Sequence, residues 1–94
     1  MKSIGITGQN GFTGSYLCNT ISLLKDEFVL IPFDKEFFEN ENQLQNWVKQ
    51  CDVIVHLAAM NRHPDPQVVY DTNIGLVKKL VTALEKTGTN PQLI

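Results

Sequence analysis

The stretch Lys2-Ser3-Ile4-Gly5-Ile6-Thr7-Gly8-Gln9-Asn10-Gly11-Phe12-Thr13-Gly14-Ser15 decides the fold. Lys2 to Thr7 is short, carries the branched residues Ile4 and Ile6, and stops against a glycine, which reads as a first strand. From Ser15 to Lys25, Leu17, Cys18, Ile21 and Leu24 share one face at helical spacing. Between the two, Gly8 lets the chain turn sharply, Gly11 keeps a Cβ out of the way of an approaching group, and Gly14 lets the helix pack close to the sheet.

Further along, Phe28-Val29-Leu30-Ile31 is an unbroken apolar run, as expected of a strand covered on both faces in a parallel sheet. Pro32 and Phe33 carry it to Asp34. The segment Lys35 to Asn42 is polar apart from Phe37 and Phe38, and Asn40 or Asn42 is placed to cap a helix over Gln43 to Gln50, where Leu44, Trp47 and Val48 recur at helical spacing. Asp52-Val53-Ile54-Val55-His56-Leu57 is the strongest strand pattern in the chain, continued into a loop by Ala58 and Ala59. His63-Pro64-Asp65-Pro66 breaks the chain. Val69, Asn73, Leu76, Val77, Leu80, Val81 and Leu84 then support a long helix from Gln67 to Thr87, closed by Gly88. Gln92-Leu93-Ile94 reads as the opening of another strand, and so implies a natural chain that continues past Ile94. Strands alternating with helices predict right-handed crossovers and an α/β fold. The expected architecture is the amino-terminal half of a Rossmann-type, doubly wound parallel sheet.

In that setting the glycine loop has a chemical meaning. Its free N–H groups lie at a helix N-terminus, where the helix dipole also favours negative charge, so a pyrophosphate fits there. A glycine pattern alone is weak evidence. This one follows the first strand, opens a helix and is followed by an acidic residue after the second strand, the context such a motif requires. Asp34, 20 residues beyond Gly14, is placed to accept hydrogen bonds from ribose hydroxyls and to repel a 2′-phosphate, which favours NAD over NADP. The adjacent Lys35 keeps NADP open, and a solvated carboxylate at a strand end is the alternative reading of Asp34. The Gly-Lys-Ser/Thr ending of a P-loop is absent.

Bulk properties narrow the field. Ninety-four residues suffice for one core and not for two, and 43% apolar content is ordinary for a globular chain. The net charge is −2, with Lys and Arg scattered, which leaves no basic patch for nucleic acid. Cys18 and Cys51 fall in segments read as helical, lack C-x-x-C or Cys/His metal spacing, and read as reduced, half-buried packing thiols in a cytoplasmic protein. The first residues hold too few apolar side chains for a signal segment or a membrane span.

The chain resembles the extended short-chain dehydrogenases/reductases, the NAD-dependent epimerase/dehydratase group that acts on nucleotide sugars. The resemblance rests on Thr7-Gly8-x-x-Gly11-x-x-Gly14, on Asp52-Val-Ile-Val-His56-Leu57-Ala58-Ala59, and on Tyr70-x-x-Asn73-Ile74 leading to Leu80-Val81. It implies that the backbone of Leu57, Ala58 and Ala59 lines the cofactor near its nicotinamide-side ribose. It implies also that Asn73 helps to order the catalytic region, local bonding within the helix being the alternative. His56 is read as a strand-end residue without an acid–base role. Met60-Asn61-Arg62 resembles the subgroup that reduces or epimerises keto-sugar nucleotides in capsule and O-antigen synthesis. The long helix matches one that family members use in a two-fold dimer, so a homodimer is implied.

Two departures from the family pattern matter. The third strand that usually ends in an acidic adenine contact has no counterpart between residues 34 and 52, where Phe37 and Phe38 suggest a shortened, more apolar edge. The family's catalytic Ser/Thr and Tyr-x-x-x-Lys are also missing, because Thr20 and Ile74 stand where Tyr16 and Tyr70 would need a lysine; the resemblance places them beyond Ile94. Residues 1–94 are thus expected to form an NAD(P)-binding domain that ends before the catalytic segment. The candidate cofactor contacts are Gly8, Gln9, Asn10, Gly11, Phe12, Gly14, Asp34, Leu57, Ala58, Ala59 and Asn73, with no catalytic residue and no metal ligand assigned. The implied parent is an epimerase, dehydratase or reductase moving hydride between NAD(P) and a carbon of a nucleotide-diphosphate sugar. The alternative is a non-catalytic module of the same fold that senses NAD(P).

Overall fold

The computed structural model describes residues 2–59 and 63–94. Among these, four parallel strands form one sheet: β1 (Lys2–Thr7), β2 (Phe28–Ile31), β3 (Val53–His56) and β4 (Gln92–Leu93). Their spatial order is β2-β1-β3-β4. Helix α1 (Phe12–Ser22) joins β1 to β2, a 3-10 helix (Lys35–Glu39) and α2 (Glu41–Gln50) lead from β2 to β3, and α3 (Pro66–Thr87) leads to β4. This is the expected doubly wound arrangement.

The alternation of side chains along β1 and β3 divides the core in two. Ile4 and Ile6 face α1 and pack with Ile21, Leu17, Cys18, Val53 and Val55. Ile54 faces the other way, into a larger core with Trp47, Val48, Leu44, Phe33, Phe38, Leu80 and Ala83. Gly5 makes that second core possible, since a Cβ there would lie 2.4 Å from Trp47 Cζ2 and 2.5 Å from Cys51 Sγ. The indole therefore lies directly on the strand, and its Nε1–H donates to Ile31 O at 3.4 Å.

Sequence expectation and structure agree closely at the caps. Asn40 accepts from Gln43 N–H and starts α2, and Gly88 ends α3 with a left-handed φ of 68°, both as expected, while Asp65, read only as part of a chain break, accepts from Gln67 N–H and starts α3. They differ at α1, which begins three residues before Ser15 and stops at Ser22, short of Lys25. Leu24 leaves the apolar face it was expected to share, and its carbonyl accepts from Glu27 N–H and Phe28 N–H, turning the chain back into β2. No strand lies between residues 34 and 52. The aromatic pair expected at an apolar edge instead belongs to the 3-10 helix, where Phe37 and Phe38 meet Phe33 edge-on at ring-centroid distances of 5.4 and 5.2 Å. Cys51 lies just past α2 and is buried, its Sγ donating to Trp47 O at 3.3 Å, while Cys18 is half-buried. Burial and the nearby Asp52 carboxylate push the Cys51 thiol up to about 12, as expected of a packing thiol. No helix among the described residues is long and apolar enough to cross a membrane.

Candidate functional site

From β1 the chain leaves toward β2 by way of α1 on one face of the sheet; from β2 it returns to β3 by way of α2 on the other. From β3 the chain leaves by way of α3, which packs with α2, so the connections that follow β1 and β3 run to opposite faces, and open α/β sheets bind ligands at such a switch point. A cleft of about 600 Å³ opens there, lined by Gly8, Gln9, Asn10 and Gly11 on one side and Leu57, Ala58 and Ala59 on the other. Phe33, Lys35, Glu36, Phe38, Glu39 and Leu76 complete the lining.

Each glycine has a distinct environment. Gly8 has φ 75°, and a Cβ on it would stand 2.8 Å from Ala58 N and 2.9 Å from Leu57 C, so the two walls touch backbone to backbone. At Gly14 a Cβ would fall 2.0 Å from Gly8 O. The close approach expected there between helix and sheet is thus an approach between α1 and the loop itself. At Gly11 a Cβ would meet only Gly8 O, at 3.4 Å. That position is open toward the cleft.

Gly11 N–H donates to Gly8 O at 3.0 Å, and Ser15 N–H donates back to Gly11 O at 2.8 Å. Gly11 is the N-cap of α1 and offers no side chain, and no acidic residue lies in the first turn. Helical geometry provides no intrahelical acceptor for the N–H groups of Phe12, Thr13 and Gly14, which leaves them open to an acceptor outside the helix. The Phe12 ring is 95% exposed and stands outside the cleft, so only the backbone of this residue lies at the loop. Gln9 bridges to the far side by donating from Nε2 to Phe33 O, and Ser15 Oγ donates to Gln9 O at 3.0 Å.

The far end of the cleft differs from the sequence expectation. Asp34 ends the strand segment as anticipated, but its Oδ1 accepts from Glu36 N–H at 2.9 Å and caps the 3-10 helix. Its neighbours Lys35, Glu36 and Glu39 line the cleft; Asp34 does not. Asn73 is half-buried on α3, one turn before the cleft-lining Leu76. The Met60-Asn61-Arg62 motif lies outside the described residues.

One site residue was missed. Thr7 is fully buried, and its Oγ1 accepts from Leu57 N–H at 3.0 Å and Ala58 N–H at 3.1 Å, while contacting His56 Nδ1 at 2.7 Å. Leu57 N–H is shared with Thr7 O at 3.2 Å. The only sequence signal was a hydroxyl residue between an apolar strand and a glycine. Burial lowers the His56 imidazole below its ordinary 6.5.

Fold and cleft together define a Rossmann-type domain with a glycine loop at its switch point. The chain belongs to the NAD dependent epimerase/dehydratase family, whose model matches residues 4–94. It is 30% identical over 83 residues to UDP-2-acetamido-2,6-beta-L-arabino-hexul-4-ose reductase of Pseudomonas aeruginosa, a match covering 88% of this chain and 22% of the relative. Among solved structures, the Pseudomonas aeruginosa protein RMD, complexed with NADPH, superposes with a TM-score of 0.78 at 22% identity, over 99% of this chain and 33% of that one. A UDP-glucose-4-epimerase from Stenotrophomonas maltophila, with bound NAD and formylated UDP-arabinopyranose, gives 0.68 at 17% identity, over 96% and 35%. The chain thus spans a third or less of the first two of these relatives and little more of the last.

Proposed function

We propose that this chain is the cofactor-holding part of an NAD(P)-dependent enzyme that acts at a carbon of a nucleotide-diphosphate sugar. The observation that carries the reading is the pairing of the glycine loop with the Leu57–Ala59 wall across one cleft. The residues present fit a dinucleotide. Gly8 and Gly14 have no room for a Cβ, Gly11 would leave the phosphate approach open, and the first N–H groups of α1, which no side chain caps, would receive the phosphate oxygens. Gly8, Gln9, Asn10 and Gly11 would hold the pyrophosphate together with the backbone of Phe12 and Gly14, and Leu57, Ala58 and Ala59 would lie along the nicotinamide side, with Asn73 ordering the wall from α3.

When bound, the nicotinamide supplies a hydride acceptor or donor. This chain's residues bind and orient it. Tyr-x-x-x-Lys, the family's acid–base element, does not occur in the 94 residues, so residues 1–94 act in positioning and the proton chemistry is assigned elsewhere.

The cofactor preference is proposed as NAD, because at the cleft end where Asp34 caps the 3-10 helix the carboxylates of Glu36 and Glu39 outnumber the one cation among the described lining residues, Lys35, and carboxylates there repel a 2′-phosphate. Titration with NADH and NADPH, followed by nicotinamide fluorescence, tests both statements. NADH is expected to bind more tightly; equal or reversed affinities reject the preference, and no binding of either rejects the reading.

A homodimer through α3 is proposed with it. Tyr70, Ile74, Val77 and Val81 are exposed on successive turns of one face. Sedimentation equilibrium is expected to show a dimer that Ile74→Arg dissociates; a monomeric parent chain rejects it.

A further inference from the structure

The hydroxyl of Thr7 has one proton and two lone pairs. Ala58 N–H at 3.1 Å, and Leu57 N–H at 3.0 Å, the latter shared with Thr7 O at 3.2 Å, can only donate, and together they occupy both lone pairs. The hydroxyl proton is then left for His56 Nδ1 at 2.7 Å, which must accept it. An accepting Nδ1 means a neutral ring with its proton on Nε2. A protonated ring, or the other tautomer, would bring a third donor to the oxygen and force one of the two cleft-wall amides off it.

The position of this hub gives the hydrogen bond its consequence. Thr7 immediately precedes Gly8, whose backbone touches Leu57 and Ala58, so one buried oxygen fastens the glycine loop to the opposite wall. The His56 ring also lies edge-on to Phe38, a cleft-lining residue, with ring centroids 6.3 Å apart. We infer that His56 is a positioning residue for the dinucleotide cleft: as the Nε2–H tautomer it takes the Thr7 hydroxyl proton and thereby aims both hydroxyl lone pairs at the Leu57–Ala58 backbone. This rests on the dinucleotide reading above, and concerns a residue that the family resemblance left without a role.

Imidazole nitrogen NMR of the ligand-free chain reads the tautomer directly, and is expected to show His56 Nδ1 bare and Nε2 protonated. His56→Asn keeps an acceptor near the Nδ1 position, whereas His56→Leu removes it. His56→Leu is expected to weaken NADH binding about five- to tenfold, the equivalent of one neutral hydrogen bond, and His56→Asn to restore it to within about twofold of the parent. A protonated Nδ1 overturns the inference, and so does a His56→Leu chain that binds NADH as the parent does. If the parent binds neither NADH nor NADPH, the dinucleotide reading falls and the tautomer alone decides the role of His56. The tautomer measurement needs no variant, so it stands whether or not His56→Leu folds.

Discussion

Replacing Gly11 by alanine separates the fold from the function of the glycine loop. Gly11 has φ −76° and ψ 172°, a region open to any residue. A Cβ there meets only Gly8 O, at an ordinary 3.4 Å. Alanine is a poorer N-cap than glycine by several tenths of a kcal/mol, and the stiffer unfolded chain returns about 0.4–1 kcal/mol, so stability should change by less than about 0.5 kcal/mol. The added methyl group, however, stands on the cleft rim where phosphate oxygens must reach the first N–H groups of α1. A hydrogen bond to a charged group contributes about 1.5–3 kcal/mol, so losing one weakens binding about 10- to 150-fold. Urea unfolding and NADH titration on the same preparation measure the two quantities. An unchanged midpoint with NADH affinity within about twofold of the parent would refute the placement of the pyrophosphate at Gly11.

Other expectations follow from the same geometry. Gly14→Ala puts a Cβ 2.0 Å from a backbone oxygen that cannot rotate away; overpacking of about 1–3 kcal/mol should outweigh the roughly 1 kcal/mol that alanine returns in helix propensity, and a lower thermal midpoint checks it. Trp47→Ala removes a ring that is 2% exposed and lies 4.7 Å from the Phe33 ring, centroid to centroid. It should cost about 3–5 kcal/mol, read as a lower urea midpoint, and a loss below about 1 kcal/mol would contradict the core assignment. Because burial holds His56 below 6.5, the folded chain binds fewer protons than the unfolded one in the interval beneath that value. Unfolding free energy should therefore fall as pH is lowered through that interval, and His56→Asn should flatten that part of the curve. A parent chain that gains stability on acidification from 6.5, by more than His56→Asn does, contradicts the sign.

The legible parts of the molecule were those specified locally. Ile4, Ile6, Val53, Ile54 and Val55 mark strands by their branching, and Asn40 and Gly88 bound helices through groups adjacent in sequence. The start of α1 was harder, because Gly11 caps it without a side chain and Thr13 and Gly14 are weak helix formers. The 3-10 helix was illegible. Nothing periodic runs through Lys35-Glu36-Phe37-Phe38-Glu39, and its shape follows from aromatic contacts with Phe33 and from the Asp34 cap, in which Oδ1 accepts from Glu36 N–H. Gly8, Gln9, Asn10, Gly11, Leu57, Ala58 and Ala59 converge on one cleft, as their motifs implied. Thr7 escaped notice because its partners are remote in sequence and no local pattern announces them.

That remoteness also sets a timetable for synthesis. The Thr7 hydroxyl is satisfied by amides 50 and 51 positions downstream. At about 5–20 residues per second, the ribosome delivers Leu57 and Ala58 some 3–10 s after Thr7. During that interval the glycine loop exists as sequence without an anchor, and Gly8 has no opposite wall to hold its turn. Cofactor competence therefore arrives in a single late step, when β3 inserts beside β1, and a nascent chain arrested before residue 57 carries the complete glycine signature yet no binding cleft.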